Sequence, residues 1–179
     1  TATLSNLVVG SNPAIVIQTS ATDVTCYGQN DGIINTTVSG GGTPYSYAWT
    51  GPSSYTSSSE DLTSLAPGDY VLTVTDGNFC TETSSTVTIT QPVALTASVT
   101  AVTSAVCSGT TASFTITGTA TEVVTYTLDG GSTTATATIG GAGTVTVTVA
   151  NATTAQTLDL VSVSDGSCSN NVVGTASVS

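Results

Sequence analysis

Side chains that can do chemistry are scarce in this 179-residue chain, which has no lysine, arginine or histidine. Serine and threonine hydroxyls need a neighbouring base to act as nucleophiles, and only eleven carboxylates remain to serve as one. Two carboxylates facing each other across a cleft form the catalytic pair of glycosidases, and the candidates here are Glu60, Asp61, Glu82 and Glu122. Nothing in the sequence places any two of them together across a cleft, so we expect that the protein is not an enzyme.

The chain has four cysteines, two in each of the repeated units described below. They form no C-x-x-C motif, and without histidine they are a poor match to a zinc site, so we expect disulfides. Pairing of Cys26 with Cys80 and of Cys107 with Cys168 agrees best with the internal repeat described below. Each bridge would close a long loop and stabilise the fold by about 4 kcal/mol in the chain-entropy model. Disulfides persist in oxidising surroundings, so the sequence predicts a location outside the cytoplasm.

Four aspartates lie beside predicted turns, and carboxylate oxygens are the ligands that Ca²⁺ prefers. They are Asp23, Asp31, Asp76 and Asp129. Aspartate next to glycine is also the ordinary chemistry of a tight turn, and no spacing matches a calcium-binding loop. Both interpretations stay open, and calcium is the one cofactor that the sequence suggests.

Three aromatic residues alternate along one predicted strand, namely Tyr45, Tyr47 and Trp49. If this face is exposed, the rings are a candidate surface for stacking on the sugar rings of a glycan. The same alternation is typical of a strand whose apolar side packs into a core. The sequence leaves a glycan contact and a core strand as alternatives.

The formal charge of −11, with no cationic side chain, excludes several partners. The chain cannot neutralise phosphates, which argues against nucleic acid and against an anionic membrane surface. No apolar run approaches the roughly 18 residues that a membrane-spanning helix needs, so we expect no membrane insertion. A trypsin-like protease finds no cleavage site, which predicts resistance to proteolysis.

The elements that would position these residues form two copies of one unit. Val74-Thr75-Asp76-Gly77 leads to Cys80, and Val163-Ser164-Asp165-Gly166 leads to Cys168. Each copy has an earlier cysteine, and before that a proline, Pro13 or Pro92, opens an alternating run. The spacing predicts a first domain at 13–91 and a second at 92–179.

Alternation of β-branched and polar residues, with no helical period, predicts an all-β fold of sandwiches buried on one side of each sheet. In the first unit we expect strands at 15–20, 33–38, 45–50, 70–75 and 85–90. In the second we expect them at 95–99, 113–117, 123–128, 133–139, 144–149, 157–164 and 172–178. Glycine-, proline- and asparagine-rich segments separate them.

Residues 1–12 match the start of neither copy and read as an extra strand, with Leu4, Leu7, Val8 and Val9 before Pro13. One explanation is that the chain is a slice of a longer tandem array. The other is that this segment donates a strand to the sheet edge of a neighbouring subunit. The orphan strand at Thr1 and a last strand that ends at Ser179 favour a self-assembling subunit.

Four segments of the first unit resemble the SprB-type repeat of very long surface adhesins of gliding bacteria. They are VTCYGQNDG at 24–32, SGGGTPYSYAW at 39–49, LAPGDYVLTVTD at 65–76 and ITQP at 89–92. Such repeats are similar to the immunoglobulin-like PKD sandwich. The second unit keeps the cysteines and the Asp-Gly turn without the aromatic strand, and resembles a related bacterial surface Ig-like domain.

The resemblance implies two tandem Ig-like or PKD-like sandwiches in a protein displayed on a bacterial surface, with no catalytic residues. We therefore expect a structural subunit or repeat unit of an extracellular filament or adhesin. Its partners would be copies of itself or neighbouring repeats. The alternative is an adhesion module that binds a glycan or a host surface, with calcium as a cofactor.

Overall fold

The computed structural model describes residues 13–103, 105 and 107–179, and divides into two compact units between Pro92 and Val93. The predicted all-β fold is confirmed: the described residues form antiparallel strands and one short 3₁₀ helix at Pro52–Ser54. The predicted donor segment, residues 1–12, lies outside the described residues.

The first unit has two antiparallel sheets. One has the order β1-β2-β5, and the other has the order β4-β3-β6-β7, with β8 also paired to β6. The strands are β1 (Val16–Thr22), β2 (Gly32–Ser39), β3 (Ser46–Thr50), β4 (Thr56–Ser57), β5 (Leu62–Leu65), β6 (Gly68–Thr75), β7 (Thr81–Thr83) and β8 (Val87–Ile89). Strands β7 and β8 follow one another along β6, so together they act as one interrupted last strand.

The second unit repeats this arrangement with the sheets β9-β10-β13 and β12-β11-β14-β15. Its strands are β9 (Ala97–Ala101), β10 (Thr110–Gly118), β11 (Val123–Leu128), β12 (Thr134–Thr138), β13 (Thr144–Ala152), β14 (Gln156–Ser164) and β15 (Ser169–Val178). In both units the first, second and fifth strands form one sheet, and the fourth, third, sixth and last form the other. This strand order is that of an Ig-like sandwich, so the predicted pair of Ig-like sandwiches is confirmed.

Each unit has its own apolar core, which period-two alternation places between its sheets. On β6 the side chains of Tyr70, Leu72 and Val74 are buried, while Val71 and Thr73 on the other face are only partly covered. In the second unit, Phe114 and Ile116 on β10 are fully buried in the cluster that contains Val124 and Leu158. Each core is therefore built from residues of its own unit.

A tyrosine fixes the corner between β5 and β6. The Tyr70 hydroxyl donates a hydrogen bond of 2.9 Å to the carbonyl oxygen of Ala66, four residues earlier. Gly68 between them has a φ of +145°, a conformation open to glycine but not to other residues without strain. This is the tyrosine corner of Ig-like sandwiches, and it holds the start of the central strand β6 in place.

Three short strands of the first unit, β4, β5 and β7, were not predicted. In β5 the buried residues Leu62 and Leu65 are three positions apart, and Ser64 between them has a positive φ of +58°. The period-two signal that reveals a strand is therefore missing at β5. All seven strands predicted for the second unit are present there.

Candidate functional site

The cysteines and the turns that carry them lie at the two ends of each sandwich. We call the end at which the chain comes into a unit its leading end, and the end at which the chain leaves it the trailing end. In the first unit Pro13 lies at the leading end, where the chain comes in. Its carbonyl oxygen accepts a 2.7 Å hydrogen bond from Gly41 N–H, so the loop after β2 lies at this end too. Gly42 N–H donates to Asp76 Oδ2 at 2.8 Å, so the turn from Asp76 to Cys80 lies at this same end.

The trailing end of the first unit contains the loop between β1 and β2. Val24 N–H donates to Thr90 O at 3.2 Å, and Thr90 N–H donates to Asp23 Oδ1 at 2.6 Å. Gly28 N–H reaches Gln91 Oε1 at 3.0 Å. Because this loop also carries Cys26, that cysteine lies where the chain leaves the unit.

The second unit has the same layout. Asn170, just after Cys168, donates through its side-chain amide to Leu95 O at 2.9 Å, which places Cys168 at the leading end. Cys107 lies in the loop before β10, where Gly109 N–H donates to Ala152 O at 2.8 Å. This is the trailing end, because β14 starts nearby and pairs there with the end of β15.

The predicted disulfide pairing is wrong. Cys80 and Cys107 are free, exposed thiols, whereas Cys26 and Cys168 are each disulfide-bonded, so each predicted pair combines a free cysteine with a bonded one. The two cysteines of a unit lie at opposite ends of the sandwich. The eight residues of β2 separate them in the first unit, a span of roughly 26 Å, whereas a disulfide needs Cα atoms within about 7 Å.

The turns that carry the leading-end cysteines are built alike in the two units. Asp76 Oδ1 accepts hydrogen bonds from Asn78 N–H at 2.9 Å and from Cys80 N–H at 2.8 Å. Asp165 Oδ1 accepts bonds from Ser167 N–H at 2.9 Å and Cys168 N–H at 2.7 Å. Both aspartates thereby fix the cysteine that follows them.

These hydrogen bonds favour the charged form of both carboxyl groups. The N–H of Gly42 is the main cause that lowers the pKa of Asp76, with further contributions from Cys80 and Asn78. For Asp165 the N–H of Cys168 is the main cause of the lowered pKa. Both side chains are therefore carboxylates at neutral pH and act as fixed acceptors within the turn.

The trailing-end cysteines also share one turn geometry. Gln29 N–H donates to Cys26 O at 3.1 Å, and Thr110 N–H donates to Cys107 O at 3.0 Å. Glycine occupies the third turn position in both, with φ of +76° at Gly28 and +84° at Gly109. This positive φ is the requirement of a type II turn, and it places each cysteine at the first position.

The four candidate calcium ligands do not come together. Asp23 and Asp31 lie at the trailing end of the first unit, Asp76 lies at its leading end, and Asp129 belongs to the second unit, where it accepts from Thr157 N–H at 2.8 Å. Within the described ranges, no three acidic or thiol side chains are placed to hold a metal ion. Calcium binding stays a prediction.

Two of these carboxylates, at the trailing end of the first unit, are also held in the charged form by hydrogen bonds. The pKa of Asp23 is lowered chiefly by the N–H of Thr90. The pKa of Asp31 is lowered by Thr25, whose hydroxyl donates to Asp31 Oδ2 at 2.5 Å and whose N–H donates to Oδ1 at 3.0 Å. Both carboxylates thus have a structural role in the loop that carries Cys26.

The aromatic strand is a core strand, and the interpretation of Trp49 as a sugar contact is wrong. Its side chain is 1 % exposed and its indole N–H donates to Ser59 O at 3.0 Å, so neither ring face is open to a glycan. Tyr45 packs against the same core and donates its hydroxyl to Gly40 O. Tyr47 is partly buried. Its pKa is raised chiefly by this burial and, to a smaller extent, by a hydrogen bond with Glu60.

The carboxylates considered for catalysis are dispersed. Asp61 accepts a hydrogen bond of 2.8 Å from Thr36 N–H in the first unit, and Glu122 accepts one of 3.0 Å from Thr119 N–H in the second. Glu60 borders Tyr47, and Glu82 is exposed on β7.

The described residues contain no helix with the length and apolar character needed to cross a bilayer.

Sequence reasoning missed two exposed aromatic residues beside the cysteines of the first unit. Phe79 precedes Cys80 and is 89 % exposed, and Tyr27 follows Cys26 and is 56 % exposed. Neither belongs to an alternating strand pattern. The signal that could have revealed them is a large apolar residue inside a turn, next to a cysteine, where turns usually carry polar residues.

Comparison with known proteins gives one family match. The family model of the SprB repeat matches residues 18–54, which run from β1 through the loop of Cys26 to the 3₁₀ helix after the aromatic strand. No curated protein matches the chain.

Two of the solved structures similar to the chain are the following. One concerns host cell surface retention of a 1.5-MDa bacterial ice-binding adhesin: the identity is 17 % and the TM-score 0.45, with 91 % of this chain and 65 % of that chain covered. Another contains fibronectin(III)-like modules of CbhA from Clostridium thermocellum: the identity is 13 % and the TM-score 0.31, with 91 % of this chain and 94 % of that chain covered.

Proposed function

We propose that this chain is a structural repeat unit of an extracellular surface filament or long adhesin. The observation that carries the proposal is that the chain comes into each unit at one end of the sandwich and leaves it at the other. A unit of this kind transmits a pull along its own strands. It therefore suits an array in which units follow one another.

The first unit resists such a pull through its long first ladder. Strand β1 pairs with β2 over seven residues, from Val16 opposite Ser39 to Thr22 opposite Ile33. A force applied along these antiparallel strands loads the hydrogen bonds of the ladder together rather than one after another. The strand order thus supports a mechanical role.

Three further observations support a place on the outside of a bacterial cell. Residues 18–54 match the SprB repeat, and the repeats that this segment resembles occur in tandem in surface adhesins. The disulfide-bonded state of Cys26 and Cys168 suits an oxidising location. The absence of lysine and arginine denies trypsin-like proteases a cleavage site.

The binding-module alternative is less well supported by the geometry. Its best stacking ring, Trp49, is inside the core, and each candidate calcium ligand already accepts a hydrogen bond from a backbone N–H of the protein. A melting temperature unchanged by calcium or by a chelator agrees with the structural role. An increase on addition of calcium would favour the binding module.

Copies of the chain, or neighbouring repeats, are the proposed partners. Residues 1–12 are the proposed donor strand, because their apolar pattern matches the last strand of a unit and a sheet edge can accept one more strand. Deleting 1–12 should then abolish assembly. The matched control is a variant in which 1–12 keeps its length and composition but has a scrambled order. Unchanged assembly after the deletion would rule out strand donation.

Assembly of the purified chain tests the function itself. Light scattering and negative-stain electron microscopy at rising protein concentration should show linear arrays. Moderate salt is needed to screen the charge of −11 on each copy. A monomer at every concentration, or a protein found only inside the producing cell, would contradict the proposal.

A further inference from the structure

We propose that Cys80 and Cys107 join successive copies of this chain, with Cys107 of one copy bonded to Cys80 of the next. This inference rests on the proposed function, in which copies associate end to end. Both side chains are exposed free thiols. They are therefore accessible to a partner in the folded protein.

The first argument is their position along the chain. Cys80 lies at the leading end of the first unit, in the turn tied through Asp76 and Gly42 to the incoming chain. Cys107 lies at the trailing end of the second unit, in the loop that bonds to Ala152. When copies follow one another in chain direction, the trailing end of one copy meets the leading end of the next, and those two ends carry the two free thiols.

The second argument comes from the repeat and is independent of the first. Cys168 occupies an aspartate-held turn like that of Cys80 but one residue shorter, and Cys26 occupies a type II turn like that of Cys107. Both of these equivalents are disulfide-bonded. Each of the two kinds of turn therefore carries a disulfide in one unit and a free thiol in the other. By this correspondence, the partner expected for each free cysteine is another thiol.

The surface around Cys80 fits a contact between copies. Phe79 next to it is 89 % exposed, and it lines a shallow depression together with Pro44, Tyr45 and the backbone of Gly77. Phe79 also has a positive φ of +65°, and it is held there by a 3.0 Å hydrogen bond from its N–H to Asp76 O. An exposed phenyl ring beside a thiol can pack against another protein surface.

The charge of the chain explains why a covalent bond suits this junction. Each copy carries a charge of −11 and no cationic side chain, so no side-chain salt bridge can form between copies and their net charges repel. A disulfide is independent of charge and salt. It would hold the array together in dilute media outside the cell, where screening of the repulsion is weak.

The reaction is a pair of thiol–disulfide exchanges with a small disulfide such as oxidised glutathione. The thiolate of one cysteine attacks the oxidant, forms a mixed disulfide and releases one reduced glutathione. The thiolate of the other cysteine then attacks the protein sulfur of that mixed disulfide and releases the second glutathione. Two protein thiols are oxidised to one disulfide, one glutathione disulfide is reduced to two thiols, and the two thiol protons pass to the glutathione thiolates.

The test uses the purified chain in a glutathione redox buffer, with non-reducing gels as the readout. The wild-type chain should give a ladder of covalent oligomers. Cys80→Ser and Cys107→Ser should each remain monomeric, and their equimolar mixture should give dimers and nothing longer, because each variant keeps one half of the junction. Chymotryptic peptides should contain Cys80 linked to Cys107, since the chain has no tryptic site.

The matched control moves the thiol away from the end of the unit. Ser85 is exposed between β7 and β8, partway along the sandwich, so Ser85→Cys in the Cys80→Ser background keeps the number of exposed thiols. This control should not restore the ladder. The proposal is overturned if the control restores it, if either single variant dimerises through identical cysteines as readily as the mixture does, or if the wild type forms no covalent oligomer.

The failure of this inference can be told apart from the failure of the proposed function. The double variant Cys80→Ser/Cys107→Ser, followed by light scattering, reports association that needs no disulfide. Association of the wild type without any covalent ladder leaves the structural role in place and overturns the junction. A wild type that neither associates nor cross-links overturns both.

Discussion

Cys26 and Cys80 lie at opposite ends of the first sandwich, one in the loop before β2 and the other in the turn after β6. No covalent bond between them can close the unit upon itself. The stability of the unit must therefore come from its apolar core and its hydrogen-bonded ladders. Each unit instead carries one cysteine at its leading end and one at its trailing end.

Replacing Cys80 should leave the unit as stable as before. Cys80→Ser changes an exposed thiol that is free, so we expect the melting temperature to move by less than about 2 °C. Loss of a disulfide within the unit would cost about 2–5 kcal/mol, which corresponds to a drop of roughly 10 °C or more in a domain of this size. Differential scanning calorimetry of the monomeric protein distinguishes the two outcomes. A large drop in melting temperature would show that Cys80 forms a disulfide within the unit, which contradicts the fold.

Removing one buried hydroxyl should stabilise the first unit. Thr36 Oγ1 is buried and has no hydrogen-bond partner among the described residues, although Thr36 N–H donates to Asp61. Thr36→Val keeps the shape of the side chain and removes the unsatisfied group, so the free energy of unfolding should rise by about 1 kcal/mol. Thr37→Val, at the exposed neighbouring position, is the control that should change little. Urea denaturation measures both, and a destabilised Thr36→Val would contradict the assignment.

The two cores should respond separately to truncation. Leu72→Ala removes a fully buried side chain from the first core and should lower its free energy of unfolding by about 2–5 kcal/mol. Phe114→Ala should lower that of the second unit by about 3–5 kcal/mol. The single tryptophan, Trp49, lies in the first core, so its fluorescence follows the first unit alone.

Fluorescence and far-UV circular dichroism together therefore check this assignment. Leu72→Ala should shift the urea midpoint of Trp49 fluorescence, whereas Phe114→Ala should leave that midpoint in place and shift only the circular dichroism. A fluorescence midpoint that moves equally in both variants would contradict two separate cores.

Stability should be insensitive to pH around neutrality and fall in acid. Hydrogen bonds to the charged form lower the pKa of four aspartates, namely Asp23, Asp31, Asp76 and Asp165. In the folded state these groups bind fewer protons than in the unfolded state, where their pKa is about 4. Their stabilising contribution is therefore complete above about pH 4 and is lost as the pH falls through their folded pKa values.

Urea titration of the wild type and of one variant from pH 2 to pH 7 measures this contribution. Asp76→Asn removes one of the four carboxylates and should make the fall in stability below about pH 4 shallower. Stability that rises as the pH falls from 5 to 3 would contradict the hydrogen-bonding assignment.

The alternation of apolar residues sufficed to predict most of the fold. In β6 the buried Tyr70, Leu72 and Val74 follow the period of two without a break, and the strand lies where that pattern indicates. The pattern fails at β5, where the two buried leucines, Leu62 and Leu65, are three residues apart across a residue with positive φ. Short irregular strands are defined by their partners in the sheet, which a local pattern does not contain.

The cysteines show a second kind of limit. The sequence revealed that each unit has two of them and that Asp76 and Asp165 precede the second of each pair by a few residues. Which end of a sandwich a loop occupies depends on the number of strands that the chain completes before it. One strand precedes Cys26 and six precede Cys80, whereas the pairing was predicted from the order of the cysteines in the repeat alone. Trp49 shows another limit. Alternation placed it on one face with Tyr45 and Tyr47, but only the packing of the two sheets determined that this face is inside.

Cryo-electron microscopy of the native surface material tests the structural role most directly. The account predicts a fibre in which sandwiches follow one another along the axis, with the turn of Cys80 in each copy next to the loop of Cys107 in the preceding one. Copies attached singly to another scaffold, or a fibre whose neighbouring copies meet through their sheet faces with these two turns exposed to solvent, would contradict it.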